Sequence, residues 1–372
     1  MVAFAYLDHN ATSPLRPAAF AAMTEALGVI GNPSSVHAGG RKARALVEGA
    51  RREVAILVGA LPAEVVFTSG GTEANCMAIT GTGRRRVLVS AIEHDSVSSA
   101  AADAERVPVD CEGVIDLAAL ERLLASGDEP ALVSVMLANN ETGVVQPVAE
   151  VSRLARKAGA LVHCDAVQAV GKIAVDVHGL GVDYLTLSAH KLGGPTGVGA
   201  LVVRDGAPFA SDRRGGGQEA RRRAGTENVS GIAGFGAAAG EAVNGLAVGD
   251  LRDRLEAALL ATAVDARIFG AGATRLCNTT CISMPGVRAE TQVMALDLAG
   301  VCVSAGAACS SGKVQRSAVL AAMDVQDAVA GTAIRISLGW NSRTEEIERL
   351  IAVWRDLYVR VSQSDMPRAR AA

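Results

Sequence analysis

Ala160-Leu161-Val162-His163-Cys164-Asp165-Ala166-Val167-Gln168 and Tyr184-Leu185-Thr186-Leu187-Ser188-Ala189-His190-Lys191 decide the architecture of this chain. Each is an apolar run of strand length that ends in residues able to carry chemistry. Asp165 and Lys191 stand 26 residues apart (191 − 165), about one strand–helix–strand step. Near-continuous apolar runs belong to strands buried on both faces, as in a parallel sheet flanked by helices. In such sheets the carboxyl ends of the strands open on the crevice where ligands bind.

Outward from this pair, Glu64–Thr68, Arg86–Ser90, Ala131–Leu137 and Gly199–Val203 read as further strands. Helices are expected over Thr72–Thr80, Asp116–Ala125 and Ala149–Ala158, with Asp116 and Thr72 as N-caps and Gly159 closing a helix. Past residue 245 the texture changes. Leu251–Ala263 reads as a helix and Cys277–Met284 and Val301–Val303 as strands, followed by an amphipathic helix over Thr344–Val361. The expected organisation is a large α/β domain over 16–250 and a smaller α+β domain from 1–15 and 251–372.

Of the 372 residues 49% are hydrophobic but only 3% aromatic, so Ala, Val, Leu and Ile must build the core. A net charge of −3 gives no electrostatic case for nucleic acid or an anionic membrane. No apolar run reaches membrane-spanning length and no signal peptide is read, so a cytoplasmic protein is expected. The seven cysteines follow no disulfide pattern, and Cys277-x3-Cys281 and Cys302-x6-Cys309 are not zinc knuckles; no structural metal is expected.

Five strand ends carry the chemistry. Lys191 closes an apolar strand and enters a Gly-Gly-Pro loop, where poor solvation lowers its pKa and makes the amine nucleophilic, as a Schiff-base lysine requires. Asp165 read alone is a helix N-cap; opposite a lysine it is the carboxylate that keeps a pyridinium nitrogen protonated. Ser69-Gly70-Gly71-Thr72 enters a helix and can cradle a phosphate on free backbone N–H groups. His94 can stack on a cofactor ring, and Asn140 offers an amide to ring or substrate. Together these groups point to pyridoxal 5′-phosphate. Two further features stand apart from them. Cys309 lies among Gly, Ala and Ser only, the setting of an exposed nucleophilic thiol. Arg335, inside an apolar run, suits a substrate carboxylate. The loop Arg213–Arg223 is basic and Gly-rich, an anion-binding or subunit-contacting candidate.

The ordered set of motifs resembles the cysteine desulfurases of the NifS/IscS type, within the class-V aminotransferase family of fold-type I pyridoxal phosphate enzymes. It runs from Tyr6-Leu7-Asp8-His9-Asn10-Ala11-Thr12 through Thr72-Glu73, Glu93-His94, Asn140-Glu141, Asp165-Ala166-Val167-Gln168, Ala189-His190-Lys191 and Arg223-Ala224-Gly225-Thr226 to Ala308-Cys309-Ser310-Ser311 and Arg335-Ile336-Ser337. The resemblance implies a mostly parallel seven-stranded sheet between helices plus the smaller α+β domain. It implies that Lys191 forms the Schiff base, Asp165 meets the ring nitrogen, His94 stacks on the ring, and Gln168 and Asn140 bond around the ring oxygen. Gly71, Thr72, Ser188 and His190 would hold the phosphate, joined by Thr226 from the partner in a homodimer. Arg335 and Asn140, with Asn10 and Ala11 nearby, would bind L-cysteine. Cys309 would take the sulfur as a persulfide, pass it to an iron–sulfur scaffold or another acceptor, and stand as a candidate transient cluster ligand. Asp324 departs from the pattern, standing where the family has a glycine. A selenocysteine lyase or small-molecule aminotransferase of the same fold is the rival enzyme reading. A catalytically silent partner protein in iron–sulfur assembly is the rival of another class.

Overall fold

The computed structural model describes residues 4–306 and 316–364. Cys309 and the tail beyond 364 lie outside the described residues. A two-residue strand β1 (Ala5–Tyr6) precedes the seven strands of the central sheet: β2 (Val65–Thr68), β3 (Val87–Ser90), β4 (Glu105–Val107), β5 (Leu132–Ser134), β6 (Leu161–Asp165), β7 (Tyr184–Ser188) and β8 (Gly199–Val203). Their order across the sheet is β2-β8-β7-β6-β5-β3-β4. All neighbours are parallel except those of β8, which runs against both β2 and β7.

Both faces are covered, as the apolar runs require. On one face Val65, Phe67, Leu88, Val133, Val162, Leu185, Leu187 and Val202 pack against Ala19, Val47, Val54, Phe235 and Ala238 from three helices. The low aromatic content is met there by close approach. A Cβ on Gly236, in the helix Val229–Ala242, would come 2.5 Å from Ala50 Cα in the helix Ala38–Leu57. On the other face Val66, Val89, Leu132, Tyr184 and Leu201 meet Ala74, Met77 and Ala78 of the helix Gly71–Gly81.

Four further strands, β9 (Thr279–Ser283), β10 (Val301–Cys302), β11 (Ser304–Ala305) and β12 (Ala333–Ser337), form the second unit. β11-β12-β9 is antiparallel, while β10 pairs in parallel with β1. Leu7 from the chain start shares this core with Leu255, Ile282, Ile334, Leu350 and Trp354.

Two local expectations are corrected. Thr72 is not an N-cap: Gly70 holds that position and Thr72 lies within the helix, so its hydroxyl is free of capping duty. The edge strand β4 went unread because Glu105-Arg106-Val107 is short and charged, a composition that shields sheet edges. Asp116 does cap its helix, accepting from Ala119 N at 2.9 Å, and Gly159 takes the left-handed φ of 66° that ends one.

Candidate active site

Lys191 follows β7 on a single helical turn, and its Nζ donates to the backbone oxygens of Asn10 (2.6 Å) and Ala11 (2.7 Å). Burial lowers its pKa to about 8, and the Arg335 guanidinium pushes the same way against the carboxylates of Asp8 and Asp165. Asn10 is the hub of the site. Its carbonyl also accepts from Gln168 Nε2 (2.9 Å), and its Oδ1 accepts from Lys172 Nζ (2.7 Å) and Asn278 Nδ2 (3.2 Å). Its Nδ2 donates to Asn140 O (3.2 Å) and Thr279 Oγ1 (2.9 Å).

Asp165 ends β6, buried, with Oδ2 accepting from Asn75 Nδ2 (2.7 Å) and Oδ1 from Val167 N (2.9 Å). The same Asn75 amide donates to Ser96 Oγ (2.8 Å). Ser96 Oγ lies 2.8 Å from His94 Nδ1, which also accepts from Ser96 N (3.1 Å). With Nδ1 engaged as an acceptor, the ring proton of a neutral His94 belongs on Nε2. His94 is exposed and caps the helix Asp95–Ala100. One relay therefore links the carboxylate to the imidazole.

The Gly70–Gly71 turn brings the start of an 11-residue helix against the ends of β7 and β8. A Cβ on Gly71 would lie 3.0 Å from Val167 Cγ2 and 3.5 Å from Ser188 Cβ, and one on Gly199 only 2.6 Å from the Gly70 carbonyl carbon. Glycine is what lets the first-turn N–H groups stand free beside Ser188. His190 instead approaches Thr12, with Nδ1 3.1 Å from Oγ1, and burial followed by the neighbouring Lys191 takes its pKa to about 4. Thr226 is exposed and borders a cleft of 120 Å³ with Thr68 and Ser69, away from the Asn10 hub.

Arg335, on β12, is buried, yet its Nε has no partner among the described residues. Its other edge donates to Asp8 Oδ1 (2.8 Å) and Asn140 O (3.2 Å). A buried guanidinium N–H without an acceptor is costly in an isolated protein and ready for an anionic ligand.

Several residues of the site had no role in the sequence reading. Asn75 and Ser96 sit in helices whose pattern marks them only as polar, and Asp8 stood within a quoted motif without a task. Lys172 follows Gln168 by one helical turn and is buried with its Nζ on Gln168 Oε1 (2.7 Å) as well as Asn10. Its pKa is driven well down by burial, then by Lys191 and Arg335. An ammonium or amine N–H only donates here, so it fixes both amide oxygens and turns the NH₂ of Gln168 toward the Asn10 carbonyl.

The donor set fits pyridoxal 5′-phosphate: a lysine amine of lowered basicity, a positioned carboxylate, a glycine-built helix start for phosphate, and a buried arginine with a free N–H. Among the described residues no cluster of three or more His, Cys, Asp or Glu could hold a metal.

Residues 5–350 match the Aminotransferase class-V family. A cysteine desulfurase of Cereibacter sphaeroides is 46% identical over 365 residues, 94% of either chain. The solved NifS-like protein of Rickettsia africae superposes with a TM-score of 0.88 at 34% identity, covering 96% of this chain and 99% of that one. A structure described as SspA in complex with cysteine gives 0.80 at 27% identity, covering 91% and 99%. The chain therefore belongs to the class-V aminotransferase family, in its cysteine desulfurase branch.

Proposed function

We propose that this protein is a pyridoxal 5′-phosphate-dependent cysteine desulfurase that converts L-cysteine to L-alanine and leaves the sulfur as a persulfide on Cys309. The observation that carries this reading is the pairing of a Lys191 amine with pKa about 8 and the buried, unpartnered Nε of Arg335 around one asparagine hub. When bound, the cofactor supplies the electron sink for bond breaking at the substrate Cα and Cβ.

The chain's own residues do the rest. Arg335, oriented by Asp8, takes the substrate carboxylate on its free edge and sets the Cα over Lys191. Lys191, its basicity lowered by burial to a pKa of about 8, is placed to take the Cα proton and return it. Asp165, fixed by Asn75 and Val167, would present its carboxylate to the ring nitrogen. His94, whose Nδ1 is engaged by Ser96, would stack on the ring and carry protons through Nε2. Cys309, as thiolate, forms an S–S bond with the substrate sulfur while the Cβ–S bond breaks. The carbon fragment keeps that electron pair, takes a proton and leaves as L-alanine. A transaminase would need a keto-acid acceptor and no thiol.

The protein is read as a homodimer in which Thr226 reaches the neighbour's phosphate site. Exposed Phe20, Leu27, Ile30 and Val36 on one stretch of chain support an interface. Six described cysteines carry free thiols, in keeping with a cytoplasmic enzyme that hands sulfur to an iron–sulfur scaffold or another acceptor. No described helix is long and apolar enough to cross a membrane.

Feeding L-cysteine alone tests the reading. Stoichiometric L-alanine and Cys309 persulfide are expected, with borohydride reduction fixing the cofactor to the Lys191 peptide. A Cys309→Ala variant that releases sulfide at the wild-type rate, or an unlabelled Lys191, overturns it.

A further inference from the structure

Three parts of the chain meet at the Glu141 carboxyl. Glu141 Oε2 accepts a 2.6 Å hydrogen bond from the Ser317 hydroxyl. A Cβ built on Gly306 would lie 3.3 Å from that same oxygen and 3.8 Å from Ser317 Cβ. Gly306 and Ser317 flank the stretch that carries Cys309, so both of its described flanks come together at one carboxyl. The point is buried: Glu141 is 4% exposed and Ser317 7%. Burial raises the Glu141 pKa, opposed by the Ser317 hydrogen bond and the Arg335 guanidinium.

The neighbouring residue of the same turn belongs to the substrate side. Asn140 O accepts from Arg335 and from Asn10, and Asn139 Oδ1 holds the turn by accepting from Glu141 N (2.9 Å) and Thr142 N (3.0 Å). The carboxylate-binding arginine and the base of the Cys309 segment are thus fixed by adjacent residues of one rigid turn. Chain geometry makes this matter. Cys309 is three residues beyond Gly306, so its Cα stays within about 11 Å of Gly306 Cα however the segment is arranged. Displacing the base displaces everything the thiol can reach, and in-line attack on sulfur tolerates little misplacement.

We propose that Glu141 is a positioning residue for sulfur transfer: its carboxyl clasps Ser317 and abuts Gly306, fixing the base from which Cys309 reaches the substrate sulfur. The proposal rests on the reading of Cys309 as the accepting thiol. Ser317 also caps the helix Ala318–Ala322 by accepting from Leu320 N (3.0 Å), so a purely structural role must be separated from the clasp.

The experiment is a single turnover of the holoenzyme with L-cysteine, following Cys309 persulfide by mass spectrometry and, separately, the change in cofactor absorbance on adding L-cysteine. Glu141→Ala and Ser317→Ala should slow persulfide formation about tenfold, the upper end of the worth of one hydrogen bond. Both should leave the L-cysteine concentration that half-saturates the absorbance change within about twofold of wild type, since they spare the residues that bind it. Glu141→Gln and Ser317→Thr, which keep an acceptor oxygen and a donor hydroxyl, should stay within about twofold of the wild-type rate. A wild-type persulfide rate in Glu141→Ala overturns the proposal, as does Glu141→Gln failing as badly as Glu141→Ala. If Glu141→Ala does not fold, a wild-type rate in Ser317→Ala overturns it instead. Cys309→Ala keeps the two levels apart. If that variant still makes alanine and sulfide normally, the thiol reading falls and the clasp with it; if it is inactive while Glu141→Ala is normal, the clasp alone falls.

Discussion

Around Lys191, Asn10 alone makes seven hydrogen bonds, and its partners come from the sheet ends and the second unit. At the base of the Cys309 segment a single carboxyl makes one hydrogen bond, to Ser317, and stands where a side chain at position 306 would crowd it. The first region is built to hold a ring and a substrate still, because proton transfer at Cα needs fixed geometry. The second fixes the two described flanks of the stretch that carries the proposed accepting thiol. The contrast predicts that substitutions near Asn10 damage binding and chemistry together, whereas those at residue 141 or 317 affect sulfur transfer alone.

The largest effect should come from Lys191→Ala, which removes both cofactor attachment and the proton carrier: loss of turnover on the order of 10⁴-fold. Absorbance of the purified protein and an alanine assay check it, and retained turnover would erase the distinction between the regions. Next comes Arg335→Met. It takes away the carboxylate partner and leaves Asp8 without its guanidinium, so kcat/KM for L-cysteine should fall roughly 10²-fold, mainly through KM.

Lys172→Met sharpens the comparison inside the first region. Replacing a buried lysine by an isosteric apolar chain removes its desolvation cost, so the melting temperature should change little. Gln168 Oε1 nevertheless loses its donor, while Asn10 Oδ1 keeps Asn278. Cofactor affinity of the apoprotein should drop about tenfold, and much less when Gln168 is already Leu, because the lysine acts through that amide. Equal losses in both backgrounds would dissolve the hub into independent contacts.

The amine itself gives a subtler test. In cofactor-free protein the acylation rate of Lys191, followed by peptide mass spectrometry, should rise with pH around a midpoint of about 8. Burial disfavours the ammonium most and Arg335 next, so Arg335→Met should move the midpoint up. Asp165→Asn removes an anion that favours the ammonium, and should move it down. A midpoint near the ordinary 10.5 would mean the amine is solvated and burial is not lowering its basicity.

What could be read in the sequence follows the same divide. Asp165, Ser188 and Lys191 were legible because strand ends in an open α/β sheet all point into one crevice. Asn75, Ser96, Asp8 and Lys172 were not, because their partners lie far along the chain and no local period marks them. Nor did anything announce Glu219-Ala220-Arg221, three non-glycine residues at φ 48°, 52° and 66°. They are held there by tertiary contacts: Glu219 takes a two-pronged pair from buried Arg51 (2.7 and 2.9 Å) and a bond from Phe67 N (2.9 Å). The same loop reaches the phosphate cradle, where burial would raise Glu73 but its bonds to Arg223 and Ser69 bring it down to about 2. Backbone strain of this kind is bought by side chains elsewhere and leaves no local signature.

The smallest expected effect lies just beyond the second region. Asp324 stands where the resemblance expects glycine, and its φ of 56° is the left-handed conformation that glycine adopts at no steric cost. Aspartate tolerates that region better than most residues, so the strain is slight. Asp324→Gly relieves it but gives the unfolded chain more freedom, and the two terms nearly cancel. Thermal unfolding should therefore move by no more than about 0.5 kcal/mol, while persulfide formation stays at the wild-type rate. The position follows the end of the helix that Ser317 caps, about two turns from the clasp. If so small a backbone change altered sulfur transfer, the anchoring function would extend through the whole helix and not reside in the Glu141 carboxyl.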